Sequence, residues 1–210
     1  MREELKSKNF EVITVACETK GAVTAMPFVE AAKQTHPSLL DQTHVLPELY
    51  NTRNVPAAFW IDEQMRIVRA NDPIYAQRRT YENGQVTSVT TNEKYLNAVR
   101  DWVEKGPQSI YVQGSKALEK TGKPEWADVQ AMAHFRLGVH LHQGGHPKEA
   151  IVQFKQAHAL RPGNWNYRRQ AYNLGNIKDD YGYENFQAAM KEPTGLPFYP
   201  PLELPDLPPA

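Results

Sequence analysis

Between residues 131 and 164 seven side chains recur in one register: Leu137, Gly138, Leu141, Ala150, Phe154, Ala157 and Pro162. Small residues at 138 and 150 let two helices approach closely, Leu141 and Phe154 fill the space between them, and Pro162 stops the second helix. The pattern predicts an antiparallel helical pair. Such a pair cannot hide its own hydrophobic face, so it must pack on the following helix "NWNYRRQAYNL", on the preceding domain or on a partner.

Upstream, the chain has a different texture. Residues 1 to 9 look like the last turns of a helix, and "FEVITVACE" has the continuous β-branched run of a strand buried on both faces. "AMPFVEAAKQTH" has helical spacing, and "PSLLDQTHVLPELYNTRNV" follows as an extended piece and another helical turn. From Val55-Pro56 two short runs flank Asp62-Glu63-Gln64, the signature of a β-hairpin. Asn83-Gly84 marks a further turn. "TNEKYLNAVRDWVEKG" is an amphipathic helix capped by Thr91 or Asn92 and ended by Gly106. The Gly-, Pro- and Lys-containing stretch 107–125 reads as a linker, and the tail 191–210, with seven prolines after Glu192, as an extended polyproline-like segment whose Leu, Phe and Tyr residues favour docking on its own protein over free disorder, with a ligand for a proline-binding domain as the alternative.

Charge and cysteine content exclude several functions. With 24 basic and 24 acidic side chains and no basic run, nothing draws the chain to nucleic acid or an anionic membrane. No segment approaches the ~20 apolar residues of a membrane helix, and "MREELKSKNF" is charged where a signal peptide has an apolar core. Cys17 is the only cysteine, which excludes an internal disulfide, a Cys-x-x-Cys pair and a multi-cysteine zinc site.

The run "VITVACETKGAV … HPSLLDQTHVLPELYNTRNVPAAFWIDEQMRIVR" resembles the thioredoxin-like TlpA/ResA redoxins. The residues that carry the likeness are Glu18, Leu40-Asp41, Tyr50, Val55-Pro56, Ile61-Asp62 and Arg66-Ile67-Val68. Residues 131–164 fit the 34-residue tetratricopeptide pattern with His134 where it prefers Trp, and with "YPPLELPD" they resemble the tail of redoxin relatives that carry such an extension. The resemblance implies an α/β chain: an incomplete thioredoxin-like domain over 1–106, the linker 107–125, tetratricopeptide-like helices over 126–190 and the tail 191–210. It also implies a cis proline at Pro56 facing the active-site cysteines, with the backbone of Val55 offered to an extended substrate, and Glu18 as an acidic residue assisting their proton transfers. The strand and helix start that carry those cysteines would precede residue 1. The missing strand would lie between "VITVA" and "AAFWI", so the gap must be closed by direct pairing of its neighbours, by another segment, or by strand exchange in a homodimer, of which the dimer is favoured.

Each candidate for chemistry has a plainer reading beside it. Cys17 sits in a buried-strand pattern, where a cysteine is a small inert hydrophobe, and the adjacent Glu18 would raise its pKa. Asp41 with Glu48, or Glu18 with Asp62, are pairs that chance supplies, and Asp62 is a turn residue. His134, His140, His142, His146 and His158 lack the i, i+4 helical spacing with further ligands that a metal needs, because Gly144-Gly145 interrupts the one suitable pair. "NYRRQ" is better explained by helix packing than by nucleic acid.

The expected function is therefore a protein- or peptide-binding module of redoxin descent, acting through Val55, Pro56 and the helical face, as a homodimer without cofactor or metal. A lone-thiol oxidoreductase or peroxide-reactive protein using Cys17 and Glu18, and a hydrolase in a reshaped cleft, are the alternatives. The expected compartment is the cytoplasm, an expectation tied to the N-terminus as it stands.

Overall fold

The computed structural model describes the backbone of residues 1–73, 77–82, 85–199 and 201–206, and side chains within these outside 77–82, 85–91, 118 and 120. The chain is mixed α/β. Its contacts divide it into two units, each discontinuous: Met1–Val12, Pro56–Thr121 and Pro200–Ala210 form one, and Ile13–Val55 with Gly122–Tyr199 the other.

The first unit holds helix α1 (Arg2–Leu5), the hairpin of β3 (Ala57–Ile61) and β4 (Ile67–Pro73), the antiparallel pair β5 (Gln77–Glu82) and β6 (Gln85–Thr91), and helices α4 (Glu93–Lys105) and α5 (Ser115–Thr121). The hairpin forms where expected because Asp62 organises its turn, its Oδ1 accepting from the backbone N–H of Gln64 at 3.0 Å and of Arg66 at 2.9 Å. The expected turn at Asn83-Gly84 lies outside the described residues. Asn92 caps α4 by accepting from the Tyr95 N–H at 3.2 Å, and Gly106 takes the positive φ of 55° that ends it. The apolar face of α4 lands on the hairpin: Tyr95, Ala98 and Val99 are buried with Trp60, whose ring stacks on Trp102 at 5.0 Å.

Most of the stretch read as a linker, up to Thr121, is built into this unit. Ser109, Tyr111 and Ala117 are buried, the Gln113 N–H donates to the Val68 carbonyl at 2.8 Å, and α5 packs on β4. The Gly and Lys content hid one aromatic anchor, Tyr111, and Leu202 and Leu204 from the tail cover the same core.

The second unit joins a parallel pair, β1 (Thr14–Cys17) with β2 (Ser38–Asp41), and helices α2 (Ala22–Ala31) and α3 (Val45–Leu49) to the helices α6 (Trp126–Gln143), α7 (Pro147–Leu160), α8 (Trp165–Leu174) and α9 (Phe186–Ala189). A reciprocal Glu125–Asp128 capping box starts α6, Gly145 at φ 83° turns the chain, and Pro147 begins α7 at a position whose N–H is not needed. The close approach predicted at Gly138 is present. A Cβ added there would stand 2.6 Å from the Phe154 ring. Ala131, Phe135, Ala150, Phe154 and Ala157 form the core with Tyr167 and Ala171 of α8, so α8 supplies the cover that the pair lacks. Phe135 stacks on Tyr167 at 4.3 Å.

Among the described residues β1 pairs only with β2, and β3 only with β4. Helix α2 starts three residues before "AMPFVEAAKQTH", contains Pro27 and buries none of its residues.

Candidate functional site

Cys17 ends β1, and the loop after it is held by α8. The Gln170 side chain donates from Nε2 to the Cys17 carbonyl at 3.2 Å and accepts from the Thr19 N–H at 3.0 Å, so one amide side chain clamps both ends of the loop. The Thr19 hydroxyl meets His44 Nε2 at 3.1 Å. His44 is buried, at φ 57°, with its ring edge-on to Phe135 at 5.2 Å. Nothing in its sequence surroundings singled it out. Only the fold brings positions 17, 19, 44 and 170 together.

The electrostatics of this cluster suppress charge. Burial first, and the nearby Asp41 carboxylate second, push the Cys17 thiol from 9.0 up to about 12. Burial takes His44 down from 6.5 to about 4, against a smaller upward pull from Asp41. The carboxylate that matters to the thiol is thus Asp41, across the strand pair, rather than its neighbour Glu18. Glu18 instead folds its own turn, with Oε1 accepting from the Lys20 N–H at 2.9 Å. A thiol poised for exchange needs thiolate at neutral pH, and this environment withholds it. At pH 8 native Cys17 should react with a disulfide reagent about a thousandfold more slowly than in urea, from the difference in thiolate fraction alone. Stopped-flow thiol titration checks this, and equal rates would show the thiolate to be available.

The carboxylate pairs have structural work. Asp41 receives the N–H groups of Val45 at 3.2 Å and Leu46 at 2.7 Å at the start of α3, and Glu48 is ion-paired with Arg136 while burial raises its pKa. Glu18 and Asp62 belong to different units. Among the described residues no group of three or more His, Cys, Asp and Glu side chains is placed to hold a metal ion. His134 bonds Gln153 at 2.7 Å through Nδ1, and His158 is buried beside Tyr172 and Tyr181. A cleft of about 290 Å³ lies there, lined by Lys155, His158, Arg168, Tyr172, Tyr183 and Glu192. Its central charge is already matched, because the Arg168 guanidinium meets Glu192 at 2.5 Å.

Of the expected substrate-facing pair, Pro56 is exposed and Val55 half-buried. The Val55 carbonyl is engaged within its unit, accepting from Arg169 Nη1 at 3.0 Å and from the Tyr199 hydroxyl at 3.2 Å.

No protein-family model matches the chain, and no match to it was found among curated proteins or solved structures. Among the described residues no helix is long and apolar enough to cross a membrane.

Proposed function

We propose that this chain is a protein-binding module of thioredoxin-like descent, with a tetratricopeptide-like helical extension and no thiol-exchange chemistry of its own. The observation that carries this reading is apolar surface concentrated on β2, α2 and α3 and on Ile13 just before β1. Val23 is 88% exposed, Phe28 76%, Leu49 75% and Ile13 60%, with Leu39 and Met26 also open to solvent. Scattered exposed leucines are ordinary, but a cluster over one short stretch of chain marks a surface that another chain covers. Among the described residues β1 has a strand on one side only, and its other edge, where Gln170 takes the Cys17 carbonyl, is open to a further strand. A second copy pairing along that edge is the association we favour. The two enzymatic readings draw less support, because the single thiol is held protonated and the carboxylate pairs are occupied by a helix cap and an ion pair.

Light scattering on the full chain at micromolar concentration is the test. Wild type should run as a dimer, and Val23→Asp with Phe28→Asp should convert it to monomer without loss of helical circular dichroism. A wild type that stays monomeric removes self-association, and a double variant that stays dimeric removes this surface as its seat.

A further inference from the structure

We propose that residues 196–199 of the tail are a displaceable occupant of a peptide groove on the helical unit, whose external ligand is an extended peptide with an aromatic residue following proline. The inference extends the binding-module reading and concerns a different surface. The segment is "LPFY", and each contact is of a kind a docked peptide makes. The Phe198 carbonyl accepts from Asn54 Nδ2 at 2.7 Å, and the Tyr199 hydroxyl donates to the Val55 carbonyl at 3.2 Å. The Phe198 ring lies 4.8 Å from Trp165, and the Arg169 guanidinium stands 5.5 Å from that ring while bonding Val55. Leu196 rests on Gly163, where an added Cβ would fall 2.8 Å from its Cδ1, so the bare backbone there is part of the seat.

Two features make this a groove with a resident rather than a finished core. Phe198 and Tyr199 are only half-buried and Leu196 is 45% exposed, whereas the residues beneath them, Trp165 and Asn54, are 2% and 7% exposed. The floor is built and the occupant is peripheral. The floor is also incompletely satisfied: Asn54 Oδ1 and Arg169 Nε are buried with no hydrogen-bond partner. An amide side chain that reads a peptide backbone both donates to a carbonyl and accepts from an N–H, and the tail uses only the first half. A peptide that also gives an N–H to Asn54 Oδ1 holds the seat better than the tail does, while the tether keeps the tail at an effective concentration of about millimolar and screens out weak ligands.

The experiment is a fluorescence-anisotropy titration of the full chain with a labelled synthetic peptide of residues 193–201, "PTGLPFYPP". Phe198→Ala frees the groove and should bind the peptide about tenfold or more tightly than wild type. Adding Asn54→Ala or Arg169→Met to that variant should abolish the gain. Tyr199→Phe, which deletes one hydrogen bond and keeps both rings, should give a smaller gain in the same direction and serves if Phe198→Ala does not fold. Equal affinity of the tail variants and wild type, or a gain that survives the groove substitutions, overturns the proposal. The dimer surface at Val23 and Phe28 is untouched by these variants, so either idea can fail alone.

Discussion

Acidification from pH 6.5 to pH 4 should remove on the order of 5 kcal/mol from the folding stability of the helical unit, through His44 and His158. Burial lowers His44 to about 4. It lowers His158 to about 3, helped by the Arg168 and Lys155 charges and opposed by the Tyr167 carbonyl and Glu192. Both rings are neutral in the folded chain and regain their ordinary value near 6.5 when it unfolds, so below that pH the unfolded state binds more protons. The stabilisation is complete above pH 6.5 and is lost as pH falls toward the folded values. Each ring contributes a slope of about 1.4 kcal/mol per pH unit over this window, and two together are large beside a typical stability of roughly 5 to 15 kcal/mol. Glu48, whose pKa burial raises, works in the opposite sense as it takes up its proton. Urea unfolding at half-unit pH steps gives the slope directly. His44→Gln and His158→Gln should each reduce it by about half, whatever they cost at pH 7, and an unchanged slope in both would show that neither ring is the source.

Removing one carboxylate, Asp72→Ala, should destabilise the first unit by about 3 to 5 kcal/mol. Arg69 is 1% exposed, and its charge is met by Asp72 at 2.5 and 3.0 Å and by the carbonyls of Tyr111 at 3.0 Å and Glu203 at 2.6 Å. Without Asp72 a guanidinium is left among Trp60 and the covering chain with carbonyls alone for company. The pair as a whole need not stabilise, since the desolvation of two ions offsets most of their attraction, so Arg69→Met with Asp72→Leu should recover most of the loss. Guanidinium unfolding followed by Trp60 and Trp102 fluorescence measures both. A mild Asp72→Ala, or a double variant no better than the single one, would mean that the carbonyls and not the ion pair hold Arg69 in place.

The local grammar of the chain was legible where it rests on near neighbours. Asp62 makes a turn from its own next four residues, Asn92 caps its own helix, and Gly138, Ala150 and Phe154 meet because two helices joined by Gly144-Gly145 have no other way to fold back. Arg69 was not legible: it sits beside Val68 in the second run of the hairpin, and its buried charge is balanced by a carboxylate three residues on and carbonyls 42 and 134 residues away. Tyr111 was lost because its short apolar run, Ile110-Tyr111-Val112, is flanked by Gly, Pro and Lys residues that read as a connection. His44 stood in "DQTHVL" with no periodic signal, and Gln170, which clamps the Cys17 loop, looked like one more polar position on a helix.

By itself the sequence determined most of the elements, the single thiol and the tight helical pair, because hydrophobic period, turn chemistry and residue volume act over a few residues. Tertiary structure alone decided what those elements do to charge. It set Cys17 against Asp41 so that the thiol stays protonated, buried His44 and His158, and gave the Val55 carbonyl to Arg169 and Tyr199. Burial and long-range pairing set these properties, and both arise only when residues far apart in the chain exclude water from the same place.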